Sequence, residues 1–223
     1  MILRFIRHSF TRYNEEGLSS GGSVNSPLSF KGRRLIENLK EEGIYPEDPG
    51  VIYCSKLIRT RETLEIIYPD SVIHETALLN ERIFGRVELM DREENQRYIK
   101  ENPKFTEIWE DRDYVPEGGE SANMFISRVK RDFNILFDEF LAENYDTVTI
   151  GCHGAYYKAL SILYGLDPDN GYGDYYFLQN GKGTICEAEK KENGLVLKIA
   201  GYIGGNSLNE VGEYIKKTVK MEF

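Results

Sequence analysis

The segment MILRFIRHSFTRYN, residues 1–14, joins a short apolar run to a cluster of charged and polar side chains. Residues 2–6 are apolar apart from Arg4, and this run predicts a buried β-strand. Arg7 and His8 follow directly, at the point where the strand should end. Ligands of α/β proteins bind just beyond the carboxyl ends of parallel strands. A cation and an imidazole are therefore predicted at a ligand-binding edge.

Two later segments repeat this order of a strand, a small or polar residue and a helix. The predicted pairs are a strand over 51–54 with a helix over 56–68, and a strand over 147–151 with a helix over 155–164. Arg59 lies one turn into the first of these helices, and His153 follows the second of these strands. Strands that alternate with helices favour an α/β fold, with three α/β/α layers and a mostly parallel central sheet.

The rest of the chain fits a single domain over residues 1–223. Its predicted elements are a helix over 29–42, a short strand at 72–73, a long amphipathic helix over 121–143, a hairpin of 184–189 with 195–203, and a final helix over 208–220. Residues 14–26 are rich in glycine and serine and predict a loop or flap. Residues 86–117 are charged and aromatic, and we interpret them as a helical insertion near the mouth of the site.

Composition excludes several classes of partner. The net charge of -9 and the pI of about 5.0 disfavour binding to nucleic acid or anionic lipid. No apolar run approaches the roughly 20 residues that span a bilayer. The three cysteines cannot all pair with one another, and their spacing does not match a zinc site. We therefore predict a cytoplasmic protein without a metal site, nucleic acid partner or membrane contact.

Four side chains at the strand ends predict an anion pocket in this acidic protein. Arg7 and His8 follow one strand, His153 follows another, and Arg59 lies beside a third. Guanidinium groups can bond two phosphate oxygens at once, and helix N-termini add backbone N–H donors. Each residue taken alone has a plainer interpretation, such as a buried structural histidine or an exposed Arg59 paired with a nearby glutamate.

Five short motifs occur along the chain, and their order is a more specific signal than any one motif taken alone. They are Arg7-His8-Ser9-Phe10-Thr11 with Asn14, Ser55 to Thr63, Asn80-Glu81-Arg82-Ile83-Phe84-Gly85, Gly118-Gly119-Glu120-Ser121 and Cys152-His153-Gly154. This order resembles the histidine phosphatase superfamily, also called the phosphoglycerate mutase-like family. The resemblance spans residues 1 to about 165. Two positions depart from the family pattern, since Ser9 replaces a glycine and Cys152 replaces a serine.

The resemblance implies a role for each matched residue. His8 would be the nucleophile, and Arg7, Arg59 and His153 would bind the phosphoryl oxygens. Glu81 would be the general acid, and its plainer interpretation is a member of a surface ion pair. Thr11 and Asn14 would orient the phosphate or the loop, whereas Glu120 and Ser121 would line the mouth or cap the long helix. Like the family, the chain would need no cofactor or metal.

The implied activity is hydrolysis of a small soluble phosphomonoester through a phosphohistidine, as in a histidine acid-type phosphatase. A phosphomutase is the alternative within the same class. The mutases carry an Asn-x-Phe-Thr-Gly-Trp-type segment, and the chain has Asn14-Glu15-Glu16-Gly17-Leu18 instead. The alternative from another class is a catalytically silent phosphate-binding or scaffold protein. The physiological substrate and the oligomeric state stay open at this point.

Overall fold

A six-stranded sheet forms the centre of the protein in a computed structural model that describes residues 1–18, 20–107, 109–166 and 178–205. The strands are β1 (Ile2–Arg7), β2 (Val51–Ser55), β3 (Ile73–Thr76), β4 (Thr147–Cys152), β5 (Gly183–Lys191) and β6 (Gly194–Ile203). Their order across the sheet is β3-β2-β4-β1-β5-β6. The β1–β4, β2–β4 and β2–β3 pairs are parallel, and β5 is antiparallel to both of its neighbours. The predicted, mostly parallel sheet is confirmed.

Helices cover both faces of this sheet. They are α1 (Arg12–Glu15), α2 (Phe30–Glu41), α3 (Ile58–Ile67), α4 (Arg92–Glu101), α5 (Ala122–Ala142) and α6 (Gly154–Tyr164), with 3₁₀ turns at Ala77–Leu79, Gly85–Leu89 and Pro103–Glu107. One buried cluster joins the sheet to α5 and α6, and a second joins it to α2 and α3. These two clusters establish the three predicted layers.

Local sequence signals explain where the main helices begin. The Ser29 and Ser121 hydroxyls accept hydrogen bonds from backbone N–H groups one turn into α2 and α5. In α5 the apolar residues recur at three- and four-residue spacing, and this side of the helix is buried. The hairpin of β5 and β6 also forms as predicted, with an irregularity at Ile185/Cys186.

Several element boundaries differ from the sequence-based prediction. The predicted loop over 14–26 begins inside the short helix α1, because Thr11 caps that helix. The helix α3 starts at Ile58 rather than at Lys56. The predicted final helix over 208–220 lies outside the described residues. Among the residues that are described, no helix combines the length and apolar character needed to cross a membrane.

Candidate active site

The ends of β1 and β4 bring two imidazoles together. Arg7 and Cys152 are register partners in the parallel pair, so His8 and His153 are the next residues on adjacent strands. Their ring centroids lie 5.2 Å apart, with the ring planes tilted by 59°. This separation is close to the spacing of about 4.8 Å between neighbouring strands. Backbone pairing therefore sets the distance between the rings, both of which are buried.

One nitrogen of His8 is held by the backbone and the other is available. The Nδ1 atom of His8 lies 2.6 Å from the carbonyl oxygen of Ser9. A carbonyl only accepts hydrogen bonds, so Nδ1 carries the proton and Nε2 keeps its lone pair. Burial lowers the pKa of His8 well below its usual value, and the positive charges of Arg59 and Arg7 lower it further. The geometry thus supplies a neutral imidazole with a free Nε2.

The guanidinium of Arg59 is buried and anchored by backbone carbonyls. Its Nη1 donates to Val24 at 2.8 Å, and its Nη2 donates to Ser20 at 3.0 Å and to Gly21 at 3.1 Å. Its buried Nε–H meets no acceptor among the described residues. Burial lowers the pKa of Arg59 to about 10, so the group stays charged at neutral pH. The plainer interpretation of an exposed, glutamate-paired Arg59 is wrong, because Arg59 is fully buried and the nearby Glu62 and Glu65 pair with Arg33 and Arg61.

Arg7 lies against the start of α6. Its Nη1 donates to the carbonyl oxygen of Leu178 at 2.6 Å. A side chain at position 154 would place its Cβ 3.2 Å from the Arg7 guanidinium carbon. Gly154 thus allows the guanidinium to lie beside the first turn of the helix that follows His153. Gly154, the glycine of the last motif, is therefore explained by the close packing of Arg7 against it.

Glu81 binds the first turn of the same helix. One carboxylate oxygen accepts the N–H of Ala155 at 3.0 Å, and the other accepts the N–H of Arg82 at 2.9 Å. Burial raises the pKa of Glu81, although these two N–H groups and the charges of Arg59 and Arg7 act in the opposite direction. A buried carboxyl with a raised pKa suits a general acid. The alternative interpretation of Glu81 as a member of a surface ion pair is excluded, since the residue is only 6% exposed.

The side chains of the four remaining candidate residues form hydrogen bonds or ion pairs with other groups of the protein. Thr11 and Asn14 form a capping box, in which each side chain accepts the backbone N–H of the other. Glu120 pairs with Arg128 at 2.8 Å and accepts the N–H of Ile83. Burial raises the pKa of Glu120, but these partners outweigh it and hold the pKa below its usual value.

Ser121 caps α5 through the N–H of Met124 at 3.1 Å. The capping role that the sequence left open for Ser121 is therefore present. None of the described contacts of Thr11, Asn14, Glu120 or Ser121 reaches His8 or His153.

The two family departures have structural explanations. The hydroxyl of Ser9 donates to the carbonyl oxygen of Gly32 at 2.8 Å, which ties the residue after His8 to α2. Cys152 is fully buried in the core formed with α5 and α6. Ser9 thus adds a hydrogen bond to the framework, and Cys152 faces the core.

Sequence reasoning missed the role of Glu88. Its fully buried carboxylate accepts the N–H of Ser23 at 2.8 Å and also the N–H of Phe84. This side chain joins the segment over 20–24, which holds Arg59, to the segment that carries Glu81. The sequence signal was an acidic residue between the apolar residues Val87 and Leu89.

No group of three or more His, Cys, Asp or Glu side chains in the described part of the chain is placed to hold a metal ion.

Comparison with known proteins identifies the family. The family model for the histidine phosphatase superfamily (branch 1) matches residues 3–199. Fructose-2,6-bisphosphatase TIGAR B of Danio rerio is 30% identical over 151 residues, which are 64% of this chain and 55% of that protein. The alignment thus spans little more than half of that relative. A probable phosphatase of Schizosaccharomyces pombe is 29% identical over 166 residues, covering 72% of this chain and 71% of that protein.

A solved structure agrees at the level of the fold. Mycobacterial glucosyl-3-phosphoglycerate phosphatase superposes with a TM-score of 0.71 at 21% identity, covering 91% of this chain and 98% of that one. The matched motifs and the paired strand ends are the parts of this fold that carry His8 and His153. With the family model matching nearly the whole chain, the protein belongs to branch 1 of the histidine phosphatase superfamily.

Proposed function

We propose that the chain hydrolyses a small, soluble phosphomonoester through a phosphohistidine on His8. One observation carries this proposal: the free Nε2 of a neutral, buried His8 lies beside His153 and near two guanidinium groups. A nucleophile next to fixed positive charge is suited to phosphoryl transfer, in which negative charge spreads over the phosphoryl oxygens.

The first step forms a bond from His8 Nε2 to phosphorus and breaks the bond to the leaving oxygen. Glu81 gives its proton to that oxygen, which departs as an alcohol. In the second step the Glu81 carboxylate takes a proton from water, the water oxygen attacks phosphorus, and the phosphorus–nitrogen bond breaks. His8 and Glu81 then return to their starting states. Arg7, Arg59 and His153 would stabilise the phosphoryl oxygens in both steps.

The relatives support hydrolysis of a phosphorylated metabolite without specifying which one. The names of those relatives refer to different phosphorylated substrates, namely fructose 2,6-bisphosphate and glucosyl-3-phosphoglycerate. The narrower label of an acid-type phosphatase, a cytoplasmic location and the boundaries of an insertion over 86–117 stay predictions. So do the substrate-binding roles of Thr11, Asn14, Glu120 and Ser121.

Turnover of p-nitrophenyl phosphate by the full chain tests the activity. We expect steady release of phosphate, unchanged by EDTA, and an acid-labile phosphate trapped on His8 after rapid quenching. A screen of phosphorylated metabolites, including glycerate phosphates, then separates hydrolysis from mutase activity. If the protein showed no turnover and trapped no phosphate, a phosphate-binding protein without catalytic activity would be favoured. Inhibition by EDTA that magnesium reverses would reject metal independence.

Substitution of Glu81 by glutamine should change the pH dependence of kcat. The wild-type acid must be protonated, so activity should fall as pH rises through the pKa of Glu81, which burial raises. Glu81→Gln should lower kcat by roughly 100- to 10,000-fold and remove this alkaline limb. Glu117→Gln, at an exposed glutamate paired with Arg86, is the control and should keep the wild-type profile. An alkaline limb that persists in Glu81→Gln would assign the acid to another group.

A further inference from the structure

His153 begins a hydrogen-bond chain that leads away from the pocket. Its Nε2 lies 2.7 Å from the Oγ of Ser55, which lies 3.1 Å from the Oγ1 of Thr60. The Oγ1 of Thr60 in turn lies 2.9 Å from the carbonyl oxygen of Leu57. The three polar side chains are fully buried, so these hydrogen bonds have no competition from solvent. Nδ1, the other ring nitrogen of His153, has no partner among the described residues.

The number of available protons fixes the direction of this chain. The two carbonyl oxygens near the Thr60 hydroxyl, those of Leu57 and Ser55, can only accept, so the Thr60 proton points to them. Thr60 Oγ1 must then accept the proton of Ser55. Ser55 Oγ already accepts the N–H of Leu57 at 3.1 Å, and its remaining lone pair can only accept from His153. The Cys54 thiol, a weak donor, is a further neighbour of Thr60 and leaves this order unchanged.

The opposite direction leaves one contact without a hydrogen. If Ser55 donated to His153, the Thr60 proton would have to turn towards Ser55. The Thr60 hydroxyl oxygen and the Leu57 carbonyl oxygen would then face each other at 2.9 Å with no proton between them. Only the direction that starts at His153 places a proton in every short contact.

We infer that Ser55 and Thr60 are positioning residues that hold neutral His153 with its proton on Nε2, so that phosphate binding requires a second proton on Nδ1. This inference rests on the proposed function, since it takes the pocket to bind phosphate. The two adjacent imidazoles are held as opposite tautomers, because the Ser9 carbonyl places the proton of His8 on Nδ1. The incoming proton comes from water, which leaves hydroxide, or from the phosphate monoanion, which leaves the dianion, so that one N–H bond forms as one O–H bond breaks.

The surrounding charges keep His153 neutral until an anion arrives. The groups that act on His153 are Arg59 from α3 and Arg7 and His8 from the end of β1, and Glu81 docks on the first turn of α6. Burial lowers the pKa of His153, and the two arginines lower it further. A bound phosphate dianion offsets these positive charges and favours the imidazolium, whose Nδ1–H then donates to a phosphate oxygen.

Histidine-selective ¹⁵N NMR of the full chain tests this directly, because the protein has three histidines and His74→Gln leaves two. In the free protein at about pH 8 we expect a Nδ1–H signal for His8 and a Nε2–H signal for His153. Saturating inorganic phosphate, mostly a dianion at this pH, should convert His153 to a ring protonated on both nitrogens and leave His8 neutral.

A matched pair of variants at Thr60 tests the role of the chain. Thr60→Val keeps the shape but removes the acceptor of the Ser55 proton, so Ser55 should turn and donate to His153 Nε2. His153 should then switch to the Nδ1–H tautomer and bind phosphate without gaining a proton. Thr60→Ser keeps the hydroxyl and should behave as the wild type. The phosphate Kd should rise about tenfold per pH unit above neutrality in wild type and Thr60→Ser, and change little in Thr60→Val.

The possible outcomes separate this inference from the proposed function. A Nδ1–H signal for His153 in the free protein, or a neutral His153 in the phosphate complex, would overturn the inference and leave the phosphatase proposal standing. An unchanged tautomer in a folded Thr60→Val protein would also overturn it. If phosphate shifted neither imidazole signal and no turnover were found, the phosphate site itself would be rejected, together with the inference.

Discussion

His8→Ala is expected to lower kcat for p-nitrophenyl phosphate by roughly 10,000-fold or more, since it removes the atom that bonds to phosphorus. The trapped, acid-labile phosphate should disappear with it. Stability should change little, because the described hydrogen bonds of the ring include only the one from Nδ1 to the adjacent Ser9 carbonyl. Quenched-flow trapping and steady-state assays on the same protein sample provide both measurements.

His74→Ala is the matched control for this prediction. His74 is exposed on β3 and stacks on Tyr53 at a centroid distance of 5.0 Å, away from the ends of β1 and β4. The variant should retain kcat within about twofold. If His8→Ala retained substantial turnover while His74→Ala lost it, the assignment of the nucleophile would be wrong.

Arg59→Lys is expected to lower kcat/KM by about 100- to 1,000-fold, although it preserves the charge. Lysine cannot supply both the donors to the carbonyl oxygens of Ser20, Gly21 and Val24 and a further N–H for phosphate. The segment over 20–24 should loosen as well, and hydrogen exchange of its amides is the measurement that detects this.

Arg61→Lys provides the control on the same helix. Arg61 is about half exposed and forms ion pairs with Glu65 and Glu75 at the surface. Its substitution should leave kcat/KM and the exchange of residues 20–24 within about twofold of wild type. Equal effects of the two substitutions would show that Arg59 acts only through the stability of α3.

Much of this fold was predictable because its signals are local. Apolar runs of four to six residues mark the central strands, and Ser29 and Ser121 mark helix starts through their own hydroxyls. The convergence of His8 and His153 follows from parallel pairing, which alternation of strands and helices already indicates. The placement of the two imidazoles at one edge therefore needs no knowledge of side-chain packing.

The contacts that refine the site were not predictable, since they join distant parts of the chain. Ser55 and His153 are 98 residues apart, and Glu81 and Ala155 are 74 residues apart. The carboxylate of Glu88 reaches the segment near Arg59 only because the two segments pack together in the fold. The capping box of Asn14 with the nearby Thr11 is by contrast a local contact, and the substrate-binding role of Asn14 stays a prediction.

Main-chain hydrogen bonding between β1 and β4 sets the distance between the imidazoles, and this has a consequence for how such proteins diverge. Apart from site residues such as Arg59 and Glu81, residues outside these two strands can drift and change which molecules gain entry, while the two imidazoles keep their relative positions. A one-residue insertion or deletion within either strand, by contrast, would turn an imidazole to the opposite face of the sheet. Substrate selectivity can accordingly change during evolution while the arrangement of the two imidazoles is retained.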